Sequence, residues 1–347
     1  MQVEVSMVDI GKFKKEMDGW VGALEKASRV LITSPGVADG DSIGAQLALR
    51  RMILQRFPKT SVWIINDEAL PIRYRFLPGA EVVYTPESFL ASRETPHFDV
   101  SIIVDGGIDR AGRVRSYFEK SKTTVFIDHH AISIEFPYTI RIVEPTASST
   151  TELLYHLSQS ADFKTRVDSD FAQLVYLGLV FDTGFFRHSN TTPEVMELSA
   201  SLLRTGFDFT RVGERGMLER SFSSLKMMSE TLNQSQLSAG GKIIWSLLPQ
   251  ETLKKYQALD DDREGIIDHM FLTRGIEVAV LFFELGSGKT KVSLRSQGNV
   301  NVAKFARSLT EHGGGHNKSA GALLDQKLCD AAPYVLNQLE KIMVGQV

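Results

Sequence analysis

Four runs in the first part of the chain are apolar almost from end to end: RVLITS (29–34), SVWIIN (61–66), DVSIIVD (99–105) and TTVFID (123–128). A strand with one face in water alternates apolar and polar residues, so runs of this kind suit strands covered on both faces. Helical patterns lie between them, at 42–56, at 110–120 (RAGRVRSYFEK) and, more weakly, at 86–92 (PESFLAS). This alternation predicts an α/β fold with a parallel sheet and helices on both sides. Further helices are expected at STTELLYHLSQ (149–159) and FAQLVYLGLVF (171–181). At 347 residues the chain exceeds what one core usually serves, which predicts a second domain. KIIWSLL (242–248), EVAVLFFEL (277–285) and KVSLRSQ (291–297) supply its strands, with helices near 301–311 and 328–343. The expected division is a first domain at 1–192, a helical linker at 193–235 and a smaller α/β domain at 236–347.

With 43% hydrophobic and 23% charged residues, the chain has the balance of a soluble globular protein. Its first twenty residues contain acids and no signal-length apolar block, and no segment approaches a membrane span, so a cytoplasmic protein with no membrane partner is expected. A single cysteine, Cys329, excludes an internal disulfide framework and a multi-cysteine zinc site. A net charge of −3 argues against a long basic track for a duplex but leaves room for a local phosphate pocket.

The acids stand in an informative register. Asp39 and Asp41 lie just past the first run in SPGVADGDSIG (34–44), Asp105 ends the third run, Asp128 ends the fourth, and Asp182 ends LVYLGLVFD. Asp41 reads equally well as a helix cap, since Asp suits the positive end of a helix. That leaves Asp39, which in an extended segment would share a face with Asp41. Two such carboxylates repel unless a cation or a proton lies between them. In an open parallel sheet the ligand crevice lies at the carboxyl ends of the strands, so these acids should converge there. A lone Asp after a strand is usually a turn or cap. Several together, with His129 and His130 directly after Asp128, suit a metal centre instead. Carboxylates plus imidazole without thiolate fit Mn, Mg or Fe(II), and less exclusively Zn.

Taken together, DGDSIG (39–44), VDGG (104–107), IDHH (127–130) and FDTGFFRHSNTT (181–192) resemble the DHH phosphoesterase superfamily. The later SLRSQGNVNVAKFARSLTEHGGGHNKSAGA (293–322) resembles the DHH-associated domain that accompanies it. The combination is similar to the NrnA-type nano-RNase/pAp-phosphatase branch, in the family's order from about residue 28 to residue 325. The resemblance implies a parallel-sheet, Rossmann-like first domain. It also implies a Mn-dependent phosphodiesterase or exoribonuclease, with Mg or another divalent ion possible, that cleaves through metal-activated water. One ion would be held by Asp41, Asp105, His129 and Asp182. The other would be held by Asp39, by Asp105 as bridge, and by a histidine four residues before Asp39, where this chain has Pro35. His130 would face the phosphate or attacking water, and Asp128 would orient an imidazole.

Arg110 and Arg187, just past Asp105 and Asp182, are candidate phosphate clamps, with a plain surface charge as the alternative for each. In KVSLRSQ the alternation lets Arg295 point out of its sheet. Gly313, Gly314, Gly315 and His316 read as a loop whose bare amides can approach a phosphate or base; a plain turn is the other reading. The resemblance favours a lid in which Arg295, Ser296 and this loop bind the terminal nucleotide. GSGKT (286–290) lacks the P-loop's first glycine, Phe283 standing in its place, and is expected to be a hairpin turn. The expected partners are short single-stranded RNA or DNA oligonucleotides, pAp and linear dinucleotides, with a homodimer possible by resemblance. A nucleotide-binding or regulatory protein with weakened or lost catalysis is the alternative that Pro35 raises. Another substrate of the superfamily, such as pyrophosphate, a cyclic dinucleotide or longer single-stranded DNA, is a third reading.

Overall fold

The four apolar runs form the middle of a six-stranded, wholly parallel sheet in the computed structural model, which describes residues 8–131, 136–263, 265–311 and 313–344. They become β1 (Arg29–Thr33), β2 (Ser61–Ile65), β4 (Val100–Val104) and β5 (Thr123–Asp128), and the edges are β3 (Val83–Tyr84) and β6 (Ile140–Val143). The spatial order is β3-β2-β1-β4-β5-β6, that of a doubly wound sheet. Val30 lies opposite both Val62 and Val100 across the central strands. Val30 and Ile32 pack into one core and Leu31 into another on the opposite face, so both sides of β1 are dry. That is the physical cause of the unbroken apolar runs. The alternating IRIV of β6, with Arg141 exposed between buried Ile140 and Ile142, is what an edge strand looks like instead.

Helix Gly40–Arg56 packs against helices Thr150–Ser158 and Ser169–Asp182 over one face of this sheet. The packing is close enough that a Cβ on Gly44 would lie 2.6 Å from the Leu174 carbonyl oxygen, which only glycine avoids. The chain divides into two compact units, Met1–Glu219 and Arg220–Val347. The stretch 193–235 is shared between them. Helix Pro193–Leu203 packs on the 169–182 helix in the first unit, and helix Phe222–Asn233 lies in the second. Among the described residues no helix is long and apolar enough to cross a membrane.

The second unit holds a mixed sheet, β11-β12-β10-β9-β8-β7. Its strands are β7 (Gln236–Ser238), β8 (Ile243–Leu248), β9 (Val278–Glu284), β10 (Thr290–Ser296), β11 (Gly314–His316) and β12 (Ser319–Leu324). GSGKT closes the β9–β10 hairpin: the Gly288 N–H donates to the Leu285 carbonyl at 3.0 Å and Gly288 takes φ 73°. The glycine-rich segment differs from the expected loop. Gly314–His316 is an edge strand, with Gly314 opposite Gly321, Gly315 opposite Ala320 and His316 opposite Ser319. Its glycines answer to packing. A Cβ on Gly313 would strike the Ala306 backbone, and Gly315 has φ 130° with a Cβ position 2.6 Å from the Ser319 carbonyl oxygen.

Candidate metal centre

The acids converge at the carboxyl ends of β1, β4 and β5, where the strand order reverses and ligand crevices of such sheets lie. Asp39 and Asp41 divide the labour differently from the expectation. Asp39, extended at the N-cap, accepts the Ser42 N–H at 2.9 Å and caps the 40–56 helix. Asp41 is already inside the first turn, so the two do not lie on one extended face. Its two oxygens instead accept the N–H groups of Thr150 at 2.6 Å and Thr151 at 3.0 Å, at the positive end of the 150–158 helix.

Asp105 directly follows β4 with φ 61°, a left-handed conformation that Asp tolerates better than most residues. Its carboxylate is buried and gripped by two hydroxyls: Ser42 Oγ donates to Oδ2 at 2.5 Å and Thr150 Oγ1 to Oδ1 at 3.2 Å. Oδ1 also lies 3.9 Å from His129 Nε2 and 3.7 Å from His130 Nδ1. Asp128 is fully buried and accepts from the His130 backbone N–H at 3.1 Å, with His130 Nδ1 2.7 Å from the same oxygen. This holds the imidazole by its δ nitrogen. His129 is held through Nδ1, 3.2 Å from the Ala147 carbonyl. Since a carbonyl only accepts, Nδ1 carries a proton there, which leaves Nε2 to hold a second proton or to give its lone pair to a cation.

That nitrogen faces Asp182 Oδ2 at 3.0 Å; both atoms are buried, and among the described residues neither has any other hydrogen-bond partner. Two facing lone pairs need a proton or a cation between them. The electrostatics agree. Burial, with the charges of Asp105 and Asp182, pushes the Asp39 carboxyl well above the usual range. Burial, then Asp182 and Asp105, does the same to Asp41. Burial and Asp182 raise Asp105. Burial opposes charge on His129, but the carboxylates of Asp182, Asp41 and Asp105 outweigh it and push the imidazolium up to about 10. Such a cluster discharges by taking up protons or a cation. Ligand atoms of Asp41, His129 and Asp182 fall within 4.8 Å of one another, as do those of Asp105, Asp128, His129 and His130. Hard oxygens with imidazole nitrogen fit a divalent ion of the Mn or Mg kind. Asp39 is in neither set.

Arg110 and Arg187 are both exposed. The Arg110 guanidinium lies beside Gly106, where a Cβ would come within 2.8 Å of it, and Arg187 turns back to donate to the Gly184 carbonyl at 2.7 Å. Pro35 is buried, with its ring 2.8 Å from the Cβ position of Gly106. In the second unit, Arg295 pairs with Asp268 at 3.0 Å, and the register sets Arg295 opposite Ser319 and Ser319 opposite His316. The side chain of His316 lies outside the described residues. Ser296 is buried on the face that Val292 and Leu294 share, whereas Arg295 alternates to the other, so neighbours in sequence part company in space. Ser42, Thr150, Thr151 and Ala147 complete the centre and were not singled out from the sequence. The run SSTTE (148–152), with its capping pattern, is the one local signal that marked that turn.

Gly178 shows how tightly the centre depends on helix packing. A Cβ there would collide with Thr151 Oγ1 and Asp41 Oδ1. Gly178→Ala is therefore expected to cost about 1–3 kcal/mol through overpacking, although Ala is the better helix former. Because the displaced atoms include Asp41, activity should fall by more than the unfolded fraction explains. Thermal unfolding measured beside specific activity checks this, and an unchanged melting temperature would refute it.

Residues 29–179 match the DHH family N-terminal domain and residues 255–344 match the DHHA1 domain. Over 294 residues the chain is 28% identical to the bifunctional oligoribonuclease and PAP phosphatase NrnA of Thermus thermophilus, covering 82% of this chain and 81% of that protein. An exopolyphosphatase-related protein from Bacteroides fragilis shares the fold with a TM-score of 0.85 at 23% identity, over 94% of this chain and 96% of that one. The exonuclease RecJ bound to manganese does so with a TM-score of 0.54 at 15% identity, over 98% and 96%.

Proposed function

The chain belongs to the DHH family through both of its domains, and on that premise we propose that it is a metal-dependent phosphoesterase. Its substrates are very short oligonucleotides, cleaved to mononucleotides, and pAp, which loses its 3′-phosphate. The observation that carries this reading is the buried pair of His129 Nε2 and Asp182 Oδ2, 3.0 Å apart and with no other hydrogen-bond partner among the described residues, amid the carboxylates of Asp41 and Asp105. The NrnA relative supports the substrate class, and the manganese-bound RecJ that shares the fold supports Mn(II). Divalent ions supply activation of water and neutralisation of phosphoryl charge. Asp41, Asp105, His129 and Asp182 hold the firm position, and Asp39 with the shared Asp105 the weaker one. Asp128 fixes the His130 ring, so that the far nitrogen of that ring meets the phosphate or the attacking water. Arg110 and Arg187 take up phosphate charge. In the second domain, Arg295 and the Gly313–His316 segment read the terminal nucleotide, while Ser296, buried on the opposite face of the strand, does not take part.

Incubating the pure protein and Mn(II) with a labelled RNA dinucleotide, pAp and pyrophosphate in parallel tests the assignment. Dinucleotide and pAp should be consumed. Loss of pyrophosphate alone would overturn the substrate class. Pro35, in place of a ligand histidine, favours one alternative, a nucleotide-binding protein with weakened catalysis, and absence of turnover on all three would select it. Arg295→Ala should raise KM for the dinucleotide about tenfold or more, the value of a charged hydrogen bond, with a smaller effect on a generic phosphodiester. Equal losses on both substrates would remove Arg295 from nucleotide reading.

A further inference from the structure

Beyond Asp182 the chain makes a turn that is unfavourable by itself. Gly184, Phe185 and Phe186 have φ of 55°, 61° and 61°, and two of these are bulky residues for which the left-handed region costs energy. The turn is anchored by Thr183, whose hydroxyl accepts the Phe186 N–H at 3.0 Å and whose carbonyl accepts those of Arg187 and His188, each at 2.9 Å. It returns the chain to the end of the 169–182 helix. There the Asp182 carbonyl, one of the last carbonyls the helix leaves open, lies 3.0 Å from His188 Nδ1 and accepts from Asn190 Nδ2 at 3.3 Å. Asn190 Nδ2 also donates to the Ser148 carbonyl at 3.0 Å. Two carbonyls can only be bridged by an NH2 group, so the orientation of this amide is fixed by its partners.

Ser148 is the residue from which the 150–158 helix is hung. Its N–H donates to Glu152 Oε2 at 2.6 Å, while Ser149 Oγ accepts the Glu152 N–H at 3.0 Å. Two and three residues further on, the amides of Thr150 and Thr151 hold Asp41. Asn190 thus touches none of the clustered ligand atoms, yet one side chain joins the backbone that carries Asp182 to the backbone that aims Asp41.

We propose that Asn190 is a positioning residue of the metal centre, which sets the spacing of Asp41 and Asp182 by bridging the carbonyls of Ser148 and Asp182. The inference rests on the metal-centre reading above. Removing the amide frees both segments, and the expected loss is the roughly 10–100-fold in metal affinity that partners behind the ligands command. KM for the dinucleotide should stay near its original value while kcat falls.

Titration calorimetry with Mn(II) on the full chain, with circular dichroism to confirm folding, compares the unmodified protein, Asn190→Ala, Asn190→Asp and Asp182→Ala. Asn190→Ala should bind at least tenfold more weakly. Asn190→Asp, which turns an acceptor toward two carbonyls, should be weaker still. If Asn190→Ala does not fold, Asn190→Ser, which keeps one donor, is measured in its place. A folded variant within tenfold of the unmodified protein, alongside loss of binding in Asp182→Ala, overturns the role of Asn190 and leaves the metal centre standing. An unmodified protein that does not bind Mn(II), or an Asp182→Ala that binds as well as it does, overturns both.

Discussion

Asp105→Asn is expected to abolish Mn(II) binding and hydrolysis together while leaving a folded, more heat-stable metal-free protein. Asn is the right replacement because φ is 61° at this position, a conformation that Asn shares with Asp and that strains Ala. The hydroxyls of Ser42 and Thr150 that grip the two oxygens can turn to meet an amide, so the local network survives. What disappears is a buried negative charge. Burial and the charge of Asp182 raise the Asp105 carboxyl, which means that the ionised group works against the empty fold. Removing it should raise the melting temperature without metal. In the unmodified protein Mn(II) should add stability as its concentration exceeds the dissociation constant; in the variant that increment should vanish. As the proposed shared ligand of both positions, Asp105 should cost more than the roughly 100-fold that outer partners cost in activity. Melting curves with and without Mn(II), beside dinucleotide turnover, decide the matter. A preserved Mn(II)-dependent shift or near-normal turnover would remove Asp105 from the bridge.

The sheet was legible because its inner strands are dry on both faces, a condition that writes itself into composition. Its edges were not. β3 contributes two residues, and β6 alternates around Arg141, so neither presents an unbroken apolar run. The same limit applied in the second domain, where β11 is a glycine strand. Gly313, Gly314 and Gly315 carry no side-chain pattern, and their need for close approach to Ala306 and Ser319 becomes visible only when those partners are in place.

The centre divides along a similar line. Residues at the ends of strands and helices announce themselves by position, and Asp105, Asp128, His129 and Asp182 were singled out that way. Contacts made by backbone do not. The amides that hold Asp41 come from residues 109 and 110 positions away, and the carbonyl that orients His129 belongs to Ala147, whose side chain says nothing. Asp39 and Asp41 were interchanged as caps for a related reason. Both are good N-caps by type, and what distinguished them was where the helix began, the least certain feature of a sequence reading.

The start of that helix bears on the proposed number of ions. Asp39 spends one oxygen on the Ser42 N–H, and its proposed partner histidine is replaced by Pro35, which packs against Gly106 and offers no ligand atom. The remaining donors within reach in sequence are few. Ser34 Oγ is buried without a partner among the described residues, so it, water or a substrate oxygen would complete the proposed second position. In the proposed firm position, Asp41, His129 and Asp182 bring their ligand atoms within 4.8 Å of one another, with Asp105 proposed as the fourth ligand. One Mn(II) should therefore bind firmly and a second about 10–100-fold more weakly or only with substrate, so that turnover continues to rise after the first position is saturated. Pro35→His tests the cause. Gly106, with φ 119° and no side chain, leaves the replacement ring a neighbour without bulk, and an imidazole that reaches the position should narrow the gap between the two affinities. Calorimetric titration of both proteins with Mn(II) provides the comparison. Two equally tight sites in the unmodified chain would show that Pro35 costs nothing, and a Pro35→His protein that folds but keeps the original inequality would move the cause from the missing imidazole to the capping of Asp39.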